Sequence, residues 1–538
     1  MELNAEGLKN LKWWREKGYQ LPDFDREKME QATKEKPYWI HFGAGNIFRA
    51  FQANVVQKLL NCGVLDRGIL AAEGFDYEIV EHMYWPHDNF SILATLKTDG
   101  TVEKTVIGSI AEALVLDSAN TVQYNRLLDI FRQDSLQMAS FTITEKGYGL
   151  VNGSGVLLRE VAHDLKNGPY KPKSYMGKIT ALLYARFLAG KKPIAMVSMD
   201  NCSKNGERLL EAVRSFAEEW AENGQTDKDF LSYVTDGSKV AFPWTMIDKI
   251  TPRPDDSIRR MLVKDGIQGL EPVITSKNSY AAPFVNAEVT EYLVIEDNFP
   301  NGRPVLEAGG LIFTDRETVS KAERMKVCSC LNPLHTALAV FGCLLGYSRL
   351  CEEMDDPELR KLVERIGYAE GLPVVVDPGI LDPKEFIDTV LNIRIANPFM
   401  PDTPQRIVTD TSQKLAIRFG ETIKAYLASK TLDLKSLVGI PLVFAGWLRY
   451  LMGADDNGKL MELSPDPFAE EISLRLRAIS WESGEKADEV ILPILRRAEI
   501  FGVDLMEAGL GEMVSVYMKE MCTGIGAVRR TLKKYLGN

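Results

Sequence analysis

A ten-residue stretch in the second half of the chain carries three side chains that could do proton chemistry together. It reads Lys326-Val-Cys-Ser-Cys-Leu-Asn332-Pro-Leu-His335 and combines an amine, a carboxamide and an imidazole. Reduction of a ketone leaves a developing alkoxide, which needs hydrogen-bond donors and finally a proton. A desolvated lysine with a lowered pKa can supply that proton near neutrality. These residue types also occur together by chance in helical proteins, so their spacing leaves both interpretations open.

A second stretch, near the N-terminus, has the pattern of a dinucleotide-binding loop. A short apolar strand candidate, Trp39–Phe42, runs into Gly43-Ala-Gly45, and a helical apolar pattern follows. Glycines at such a turn let the backbone approach a pyrophosphate, and the helix N-terminus favours its negative charge. Arg49 could add a cation. Phe48 stands where the usual third glycine would be, so a plain tight turn is the alternative interpretation.

The second strand candidate is followed by two acidic residues, Glu73 and Asp76. An acid at this place hydrogen-bonds the adenosine ribose hydroxyls and repels a 2′-phosphate, which favours NAD over NADP. Their distance from Gly43 exceeds the usual spacing of about 20 residues, so which acid acts stays open. A solvated loop carboxylate is the other reading. We expect NAD as the cofactor.

The elements that must position these residues alternate between strand-like and helix-like runs. Such alternation over the first ~150 residues indicates βαβ units and a parallel sheet. Short β-like runs follow up to about residue 317, and a helical pattern then persists towards the C-terminus. We expect an α/β protein in which an extended Rossmann-type dinucleotide-binding domain, 1–317, precedes a mostly α-helical domain, 318–538. The strand candidates are Trp39–Phe42, Gly68–Ala72, Thr105–Gly108, Met138–Ile143 and Ile194–Ser198.

Composition excludes several classes of function. The chain has 538 residues, 45% of them hydrophobic, and a net charge of −11. That charge argues against binding to nucleic acid or to an anionic membrane, both of which need a basic surface. The first thirty residues hold no apolar core of a secretory signal, and the apolar stretch 439–454 is too short for a membrane span. We expect a soluble, cytoplasmic protein that acts on a small molecule.

Metal ligands are few. The five histidines are scattered, no His-x-x-x-His occurs, and Cys328-Ser-Cys330 is the one close pair among seven cysteines. A Cys-x-Cys without a second pair is a poor zinc signature. We therefore expect no metal ion, and a lysine rather than a metal to assist the proton transfer.

The ordered motifs resemble those of the long-chain polyol-specific dehydrogenases, a family that includes mannitol 2-dehydrogenase and the hexuronate reductases. The resemblance covers nearly the whole chain and begins with the glycine loop and Arg49-Ala50. The other matching motifs are Thr142-Ile-Thr-Glu-Lys-Gly-Tyr148, Ser198-Met-Asp-Asn201-Cys-Ser-Lys-Asn205-Gly206, Phe242-Pro-Trp-Thr-Met-Ile-Asp248-Lys-Ile-Thr-Pro252, the Lys326 stretch, Asn397-Pro398 with Asp402, Arg406 and Lys414, and Trp447-Leu-Arg-Tyr450.

This resemblance implies a role for each matching residue. Lys326 is the expected general acid/base, and Asn201 and Asn332 are the expected oxyanion hole. His335 is expected to bind a substrate hydroxyl. The expected substrate-binding residues are Asp248, Arg394, Arg406 and Lys414. The expected cofactor-binding residues are Gly43, Gly45, Asn46, Ile47, Phe48, Arg49, Glu73, Asp76, Thr144 and Asn201.

The substrate is indicated by details of the same motifs. Cys-Leu-Asn-Pro-Leu-His resembles the branch that acts on D-mannonate and D-fructuronate more than the mannitol branch, which has Leu-Asn-Gly-x-His. A hexuronate carboxylate needs a cation, for which Arg394, Arg406, Lys414 and Arg449 are candidates. We expect NAD-dependent interconversion of D-mannonate and D-fructuronate. Altronate and tagaturonate, a neutral polyol such as mannitol, and a dinucleotide-binding regulator without catalysis stay as alternatives.

The Lys326 stretch departs from the family by one extra residue between the lysine and the asparagine. An α-helix advances 100° per residue, so the nine steps from Lys326 to His335 place their side chains about 180° apart. Pro333 has no N–H to donate to the preceding turn. We therefore predict a π-bulge or a helix break between Lys326 and Pro333. A break would make Asn332 the N-cap of a new helix.

Overall fold

The computed structural model describes residues 1–537, which fold as two compact units. Unit 1 comprises Met1–Lys97 and Thr101–Ser320, and unit 2 comprises Thr98–Gly100 and the chain from Lys321 onward. Within residues 1–537, the named strands all lie in unit 1. They are β1 (Tyr19–Gln20), β2 (Trp39–Phe42), β3 (Ile69–Glu73), β4 (Ser91–Leu96), β5 (Val102–Ile107), β6 (Ile110–Val115), β7 (Met138–Phe141), β8 (Ile194–Ser198), β9 (Val240–Ala241), β10 (Thr245–Asp248), β11 (Val273–Ile274), β12 (Tyr280–Ala281), β13 (Phe284–Glu288), β14 (Tyr292–Glu296) and β15 (Ile312–Thr314).

Helices make up most of the remaining ordered chain. The α-helices are α1 (Ala5–Leu8), α2 (Leu11–Glu16), α3 (Arg26–Glu35), α4 (Ala53–Asn61), α5 (Glu78–Met83), α6 (Thr121–Phe131), α7 (Thr144–Gly147), α8 (Arg159–Asn167), α9 (Tyr175–Leu188), α10 (Asn205–Glu222), α11 (Asp229–Thr235), α12 (Asp256–Asp265), α13 (Arg316–Met325), α14 (Asn332–Leu345), α15 (Leu350–Glu353), α16 (Pro357–Glu364), α17 (Pro383–Thr389), α18 (Pro404–Ile407), α19 (Glu421–Ala428), α20 (Gly439–Tyr450), α21 (Ala469–Leu476), α22 (Ala487–Leu495), α23 (Ala498–Phe501), α24 (Gly511–Met521) and α25 (Ala527–Leu536). Segments of π-helix cover Phe48–Gln52, Lys326–Cys330, Arg365–Gly371, Val390–Arg394 and Ala416–Gly420.

A six-stranded parallel sheet forms the centre of unit 1. Its order is β6-β3-β2-β7-β8-β9, and all neighbours pair in parallel. This is the Rossmann order 3-2-1-4-5-6. Strands β2, β3, β7 and β8 are buried along their whole length, as expected for parallel strands covered on both faces. The expected α/β fold, with a Rossmann-type unit and a helical one, is confirmed.

The sequence-based interpretation misplaced the third strand of this sheet. Thr105–Gly108 was the candidate, whereas Ile110–Val115 pairs with β3. The candidate segment instead falls mostly in β5, which pairs antiparallel with β4 in a separate sheet of order β1-β5-β4-β13. The chain turns between the two strands at Gly108, where a Cβ would lie 2.8 Å from Pro22. Two apolar runs separated only by this tight turn cannot be told apart by periodicity.

Unit 2 is built of helices around the apolar helix α14, most of whose residues are buried. The helical stretch Arg316–Leu345 is long and apolar enough to cross a membrane by length and composition. Within it, 78% of the most apolar window is buried inside the fold. A core helix of a soluble protein has the same properties, so this stretch is weak evidence for a membrane span.

A buried carboxyl group lies against α14 in the same unit. Glu353 in α15 is 0% exposed, and within residues 1–537 neither of its carboxyl oxygens has a hydrogen-bond partner. Gly342 of α14 leaves the room that this carboxyl group occupies, since a Cβ there would collide with it. Burial raises the pKa of Glu353 well above its ordinary value, and the neighbouring Asp356 and Glu352 raise it further.

This raised pKa makes the stability of the protein depend on pH. The folded state holds the Glu353 proton at pH values where the unfolded chain has lost it, so the free energy of unfolding falls as pH rises above about 4.3. We expect Glu353→Gln to match the wild type near pH 4 and to exceed it at pH 8, by about 1.4 kcal/mol for each unit of the pKa shift. Urea unfolding at both pH values measures this, with Glu489→Gln, at an exposed glutamate away from this cluster, as control. An equal difference at both pH values would contradict the assignment.

Candidate active site

The glycine loop follows β2 at the carboxyl edge of the central sheet. Gly43 has a φ of +103°, and its N–H donates to the carbonyl of Ala72 at 2.9 Å. A Cβ at this position would collide with the carbonyl oxygen of Thr142, so only glycine fits. At Gly45 a Cβ would meet no atom within 4 Å. No packing inside the fold therefore requires glycine at Gly45, and its approach to a ligand stays a prediction.

Phe48, at the place of the third glycine, supports the loop from below. Its buried ring stacks on the imidazole of His41 with 4.6 Å between ring centroids. The two ring nitrogens of His41 lie 2.6 Å from the hydroxyl of Ser140 and 2.8 Å from that of Thr142. Burial lowers the pKa of His41 to about 3, so this ring is neutral at physiological pH. The Phe48 ring therefore packs beneath the loop at the position where the usual third glycine lets helix and strand approach closely.

Arg49 is buried and makes its hydrogen bonds inside unit 1. One guanidinium nitrogen donates to the carbonyl of Ala282 at 2.7 Å and to Ser91 Oγ at 3.3 Å. The other terminal nitrogen donates to Asn46 Oδ1 at 3.0 Å. Asn46 and Ile47 are half-buried and begin the helical stretch after the loop. Arg49 thus fixes the start of that helix, and its contact with a cofactor phosphate stays a prediction.

The two acids after β3 have different surroundings. Glu73 accepts hydrogen bonds from the backbone N–H groups of Ala44 at 2.9 Å, Phe75 at 2.8 Å and Asp76 at 3.2 Å. Burial raises the pKa of Glu73, while these hydrogen bonds oppose the shift. Asp76 accepts from Thr275 Oγ1 at 2.6 Å through Oδ2. Its Oδ1 is buried and, among the described residues, has no hydrogen-bond partner.

A cavity of about 760 Å³ opens beside this loop within unit 1. Its volume falls in the range of about 300–1,000 Å³ that ligand pockets usually have. It lies where Rossmann folds bind dinucleotides, outside the carboxyl ends of the strands where the strand order reverses. Five of the expected cofactor residues line it. They are Gly43, Gly45, Glu73, Asp76 and Thr144.

Asp200 organises the far side of the same cavity. Its carboxylate accepts from the N–H groups of Ile143 at 2.9 Å and Thr144 at 2.8 Å, and from the hydroxyl of Tyr148 at 2.6 Å. Burial raises the pKa of Asp200 against the effect of these bonds. Thr144 has a φ of +63°, a left-handed conformation that these bonds hold in place. Asn201 is the next residue after Asp200 and is exposed.

Asp248 is the last residue of β10 and is buried, opposite Tyr292 of β14. The side chain of the next residue, Lys249, is buried too, with 3% of it exposed. Its amine donates to the carbonyl of Glu288 at 2.7 Å and pairs with Glu291 at 3.0 Å. The lysine of this motif is therefore part of the support for Asp248.

The predicted irregularity in the Lys326 stretch is confirmed. Lys326 is 3% exposed and begins the π-helical segment Lys326–Cys330. Leu331 leaves helical geometry with φ −126°, and α14 begins at Asn332 with Pro333 in its first turn. A π turn holds one residue more than an α turn. The π segment thus accommodates the extra residue before α14 begins.

His335 lies one turn into α14 and is held through its ring. Nδ1 faces the carbonyl oxygen of Leu331 at 3.2 Å, so Nδ1 carries the proton and Nε2 is left as an acceptor. Burial lowers the pKa of His335, and the charges of Arg394 and Arg418 lower it further against the effect of Asp402. A neutral imidazole that can accept a hydroxyl proton follows.

The expected substrate cations differ in exposure. Arg394 is buried at the end of the π segment Val390–Arg394. Arg406 is exposed and pairs with Asp402. Lys414 is half-buried and donates to two backbone carbonyl oxygens, one of them at 3.2 Å, and burial lowers its pKa.

Arg449, the fourth cation candidate, makes its hydrogen bonds inside unit 2. It is 0% exposed and donates to the carbonyls of Met521 at 3.2 Å, Ala454 at 2.7 Å and Asp455 at 3.1 Å. These bonds tie the end of α20 to two neighbouring segments. Arg394, Arg406 and Lys414 remain the candidates.

The sequence analysis missed Arg418. Its guanidinium donates to Thr336 Oγ1 at 2.5 Å and to the carbonyl of Asn332 at 3.4 Å, which fixes the first turn of α14. Burial lowers its pKa to about 10, so it stays charged at neutral pH. Within residues 1–537 no carboxylate forms an ion pair with it. Its spacing of four from Lys414 could have drawn attention to it, since such residues share a helix face.

Among the described residues, no group of three or more His, Cys, Asp or Glu side chains is placed to hold a metal ion. The polar groups described above are backbone amides, carboxylates, carboxamides, an imidazole, lysines and arginines. This donor set suits a nucleotide and an oxygen-rich organic molecule.

Fold and site together define a Rossmann-type dehydrogenase with a helical second unit, and comparison with known proteins specifies the family. The family model of the mannitol dehydrogenase Rossmann domain matches residues 38–308, and that of the mannitol dehydrogenase C-terminal domain matches residues 318–522. The chain belongs to the mannitol dehydrogenase family, which confirms the resemblance drawn from the motifs.

Individual relatives extend over most or all of the chain. D-mannonate oxidoreductase of Thermotoga maritima is 53% identical and covers 100% of this chain and 99% of its own. Mannitol 2-dehydrogenase of Pyrenophora tritici-repentis is 29% identical, covering 94% and 81%. Among solved structures, the Pseudomonas fluorescens mannitol 2-dehydrogenase ternary complex with NAD and D-mannitol is 27% identical, covers 100% of both chains and has a TM-score of 0.68. A substrate-free D-sorbitol dehydrogenase, 24% identical over 96% and 97%, shares the fold with a TM-score of 0.77.

The contacts of Arg418 generate a prediction. We expect Arg418→Lys to lower the dehydrogenase kcat about tenfold or more, because a lysine cannot keep both charged hydrogen bonds to the first turn of α14. Thr336→Val should lower kcat by part of this factor. The double variant should lose less activity than the two single losses combined, because both remove the same hydrogen bond. Steady-state kinetics with urea unfolding measures the effect. Arg365→Lys, in another π segment, is the matched control, and an equal loss of kcat there would contradict the assignment.

Proposed function

We propose that this protein is an NAD-dependent oxidoreductase that interconverts D-mannonate and D-fructuronate in the cytoplasm. The observation that carries the proposal is the 53% identity to a D-mannonate oxidoreductase along the entire chain. The motif residues from which catalysis was expected are present, and the irregular helix that they require is formed. Within the chain, we propose a dinucleotide-binding domain of residues 1–317 and a substrate domain of residues 318–538.

The cavity of unit 1 fits NAD. Gly45 leaves the backbone accessible, the start of the following helix suits a pyrophosphate, and the unpartnered Oδ1 of Asp76 suits a ribose hydroxyl. NAD held there would supply the chemistry of hydride transfer. At the start of the helix, the proposed cofactor-binding residues are Asn46, Ile47, Phe48 and Arg49. On the two neighbouring loops they are Thr144 and Asn201.

Proton transfer falls to Lys326. In the reducing direction its ammonium group donates a proton to the substrate oxygen as that oxygen gains negative charge. In the oxidising direction the neutral amine takes the proton back. The carboxamides of Asn201 and Asn332 donate hydrogen bonds to the same oxygen, which stabilises the alkoxide. His335, neutral and with Nε2 available, accepts from a neighbouring substrate hydroxyl.

The carboxylate of a sugar acid needs a cation, and unit 2 holds three candidates. Arg394 is buried, which strengthens its attraction for a carboxylate. Arg406 and Lys414 are its partners in this role, and Asp248 binds a substrate hydroxyl. This charge distribution favours a sugar acid over a neutral polyol.

Side-by-side kinetics tests the proposal. We expect kcat/KM with NADH to be highest for D-fructuronate, lower for D-tagaturonate and lowest for D-fructose. The reason is that fructose lacks the carboxylate, and tagaturonate differs in the configuration of one hydroxyl. A larger kcat/KM for fructose would assign the protein to the polyol branch, and no turnover of any of them would support a non-catalytic binding protein.

Loss of Lys326 tests the mechanism. We expect Lys326→Ala to reduce kcat by a factor of about 10²–10⁴, the usual contribution of a general acid or base. NADH binding should stay nearly intact, because the predicted nucleotide contacts lie on other residues. Stopped-flow turnover and fluorescence titration of NADH measure the two effects. A variant that keeps more than about a tenth of wild-type activity would remove lysine from the mechanism.

The surroundings of the two acids generate a cofactor prediction. NADH should be preferred to NADPH in the wild type. We expect Asp76→Ala to narrow that preference by about tenfold, because it removes a carboxylate that repels a 2′-phosphate. Glu73→Ala should instead weaken both cofactors, since it releases the glycine loop. The ratio of the kcat/KM values for NADH and NADPH measures the preference in each variant. An NADPH preference in the wild type would contradict the assignment.

A further inference from the structure

A second cavity lies in unit 1 between α6 and α9, apart from the residues that line the nucleotide cavity. Its volume is about 570 Å³, well within the range of small-molecule sites. On α6 it is lined at positions 121, 124, 125 and 128, and on α9 at 181, 184, 185 and 188. Both sets have the spacing of a single helix face. The two helices contact each other, and a space remains beside that contact, lined by one face of each helix.

Tyr124 places a polar group at this space. The residue is 8% exposed and lines the cavity, and its hydroxyl is buried without a hydrogen-bond partner within residues 1–537. A buried hydroxyl without a partner is unfavourable and uncommon in folded proteins. Burial raises the pKa of Tyr124, so the hydroxyl keeps its proton and can donate it. A ligand with an acceptor atom would satisfy this group.

The rest of the wall is mixed. Ser118, Thr121 and Asn125 are polar, and several of the other lining residues are apolar or aromatic. Leu128, Tyr184, Ala185 and Leu188 line the space. Leu188 is 63% exposed, which leaves an apolar side chain at the mouth without cover. Flat apolar walls of this kind suit a planar ring.

The charged groups at the mouth are both cations. Lys171 and Arg132 line the cavity, and no aspartate or glutamate does, although the chain as a whole carries a net charge of −11. Arg132 pairs with Asp129 at 3.0 Å on the exposed surface. Lys171 has no ion pair among the described residues. Lys171 is therefore the lining cation that can attract an anion. The charge of Asp164 also acts on the Tyr124 hydroxyl and adds to the rise in its pKa.

We propose that this cavity binds a small aromatic acid. The ring lies between the two helix faces, the hydroxyl of Tyr124 donates to an acceptor atom of the ligand, and Lys171 attracts the acid group at the mouth. None of these residues belongs to the nucleotide loop or to the Lys326 stretch, so the site is separate from the proposed catalytic one.

The test uses 8-anilinonaphthalene-1-sulfonate, an aromatic acid whose fluorescence rises on binding. The full-length protein is titrated with excess NAD present, which keeps the probe out of the nucleotide cavity. We expect saturable binding under these conditions. We expect Tyr124→Phe to weaken it about fivefold, the factor of one ordinary hydrogen bond. Leu188→Trp, which fills the mouth, should abolish it.

Matched variants separate the site from general effects. Lys171→Glu should weaken binding about tenfold or more through charge reversal, whereas Lys173→Glu, two residues away and outside the lining, should leave it unchanged. Val122→Trp, on the exposed side of α6, is the control for Leu188→Trp. Circular dichroism melting verifies that each variant folds. Complete displacement of the probe by NAD, or wild-type affinity in Tyr124→Phe, Lys171→Glu and Leu188→Trp, would overturn the proposal.

Discussion

One extra residue between Lys326 and Asn332 is the constraint on which the proposed catalytic arrangement depends. In a regular α-helix that residue would turn the lysine away from the histidine by about half a turn. The chain meets the constraint with the π segment Lys326–Cys330, directly before Pro333 ends the preceding hydrogen-bond pattern. Arg418 then holds the first turn of α14 through Asn332 and Thr336. Irregular helix geometry is thus a requirement of the proposed catalytic site.

In unit 1, buried carboxylates hold the loops at the edge of the central sheet. Glu73 and Asp200 each accept several backbone N–H groups from loops at the carboxyl edge of the central sheet. Burial alone raises their pKa values, and the hydrogen bonds compensate by favouring the charged form. The loops that surround the nucleotide cavity are therefore fixed before any ligand arrives. Such preorganisation reduces the entropy that binding must overcome.

Sequence alone was sufficient for the fold class, because the parallel strands are short apolar runs followed by helices. It was also sufficient for the irregular helix, because residue spacing and a proline impose geometry directly. It was insufficient for polar residues whose side chains can point either towards a ligand site or into the fold. Arg449 is a polar residue in a motif, but its guanidinium group donates to backbone carbonyls inside unit 2, among them that of Met521. Arg418 was missed because its partners on α14 are more than eighty residues away in sequence.

Chemical rescue is the most direct test of the claim that Lys326 moves the proton. Lys326 is buried, so its removal leaves a space that a small primary amine can enter. The account predicts that methylamine or ethylamine restores NADH-dependent reduction of D-fructuronate by Lys326→Ala, with a rate that rises with amine concentration and basicity. Arg418→Lys should gain nothing from the same amines. A folded Lys326→Ala variant that binds NADH, yet gains no turnover from any amine, would contradict the account.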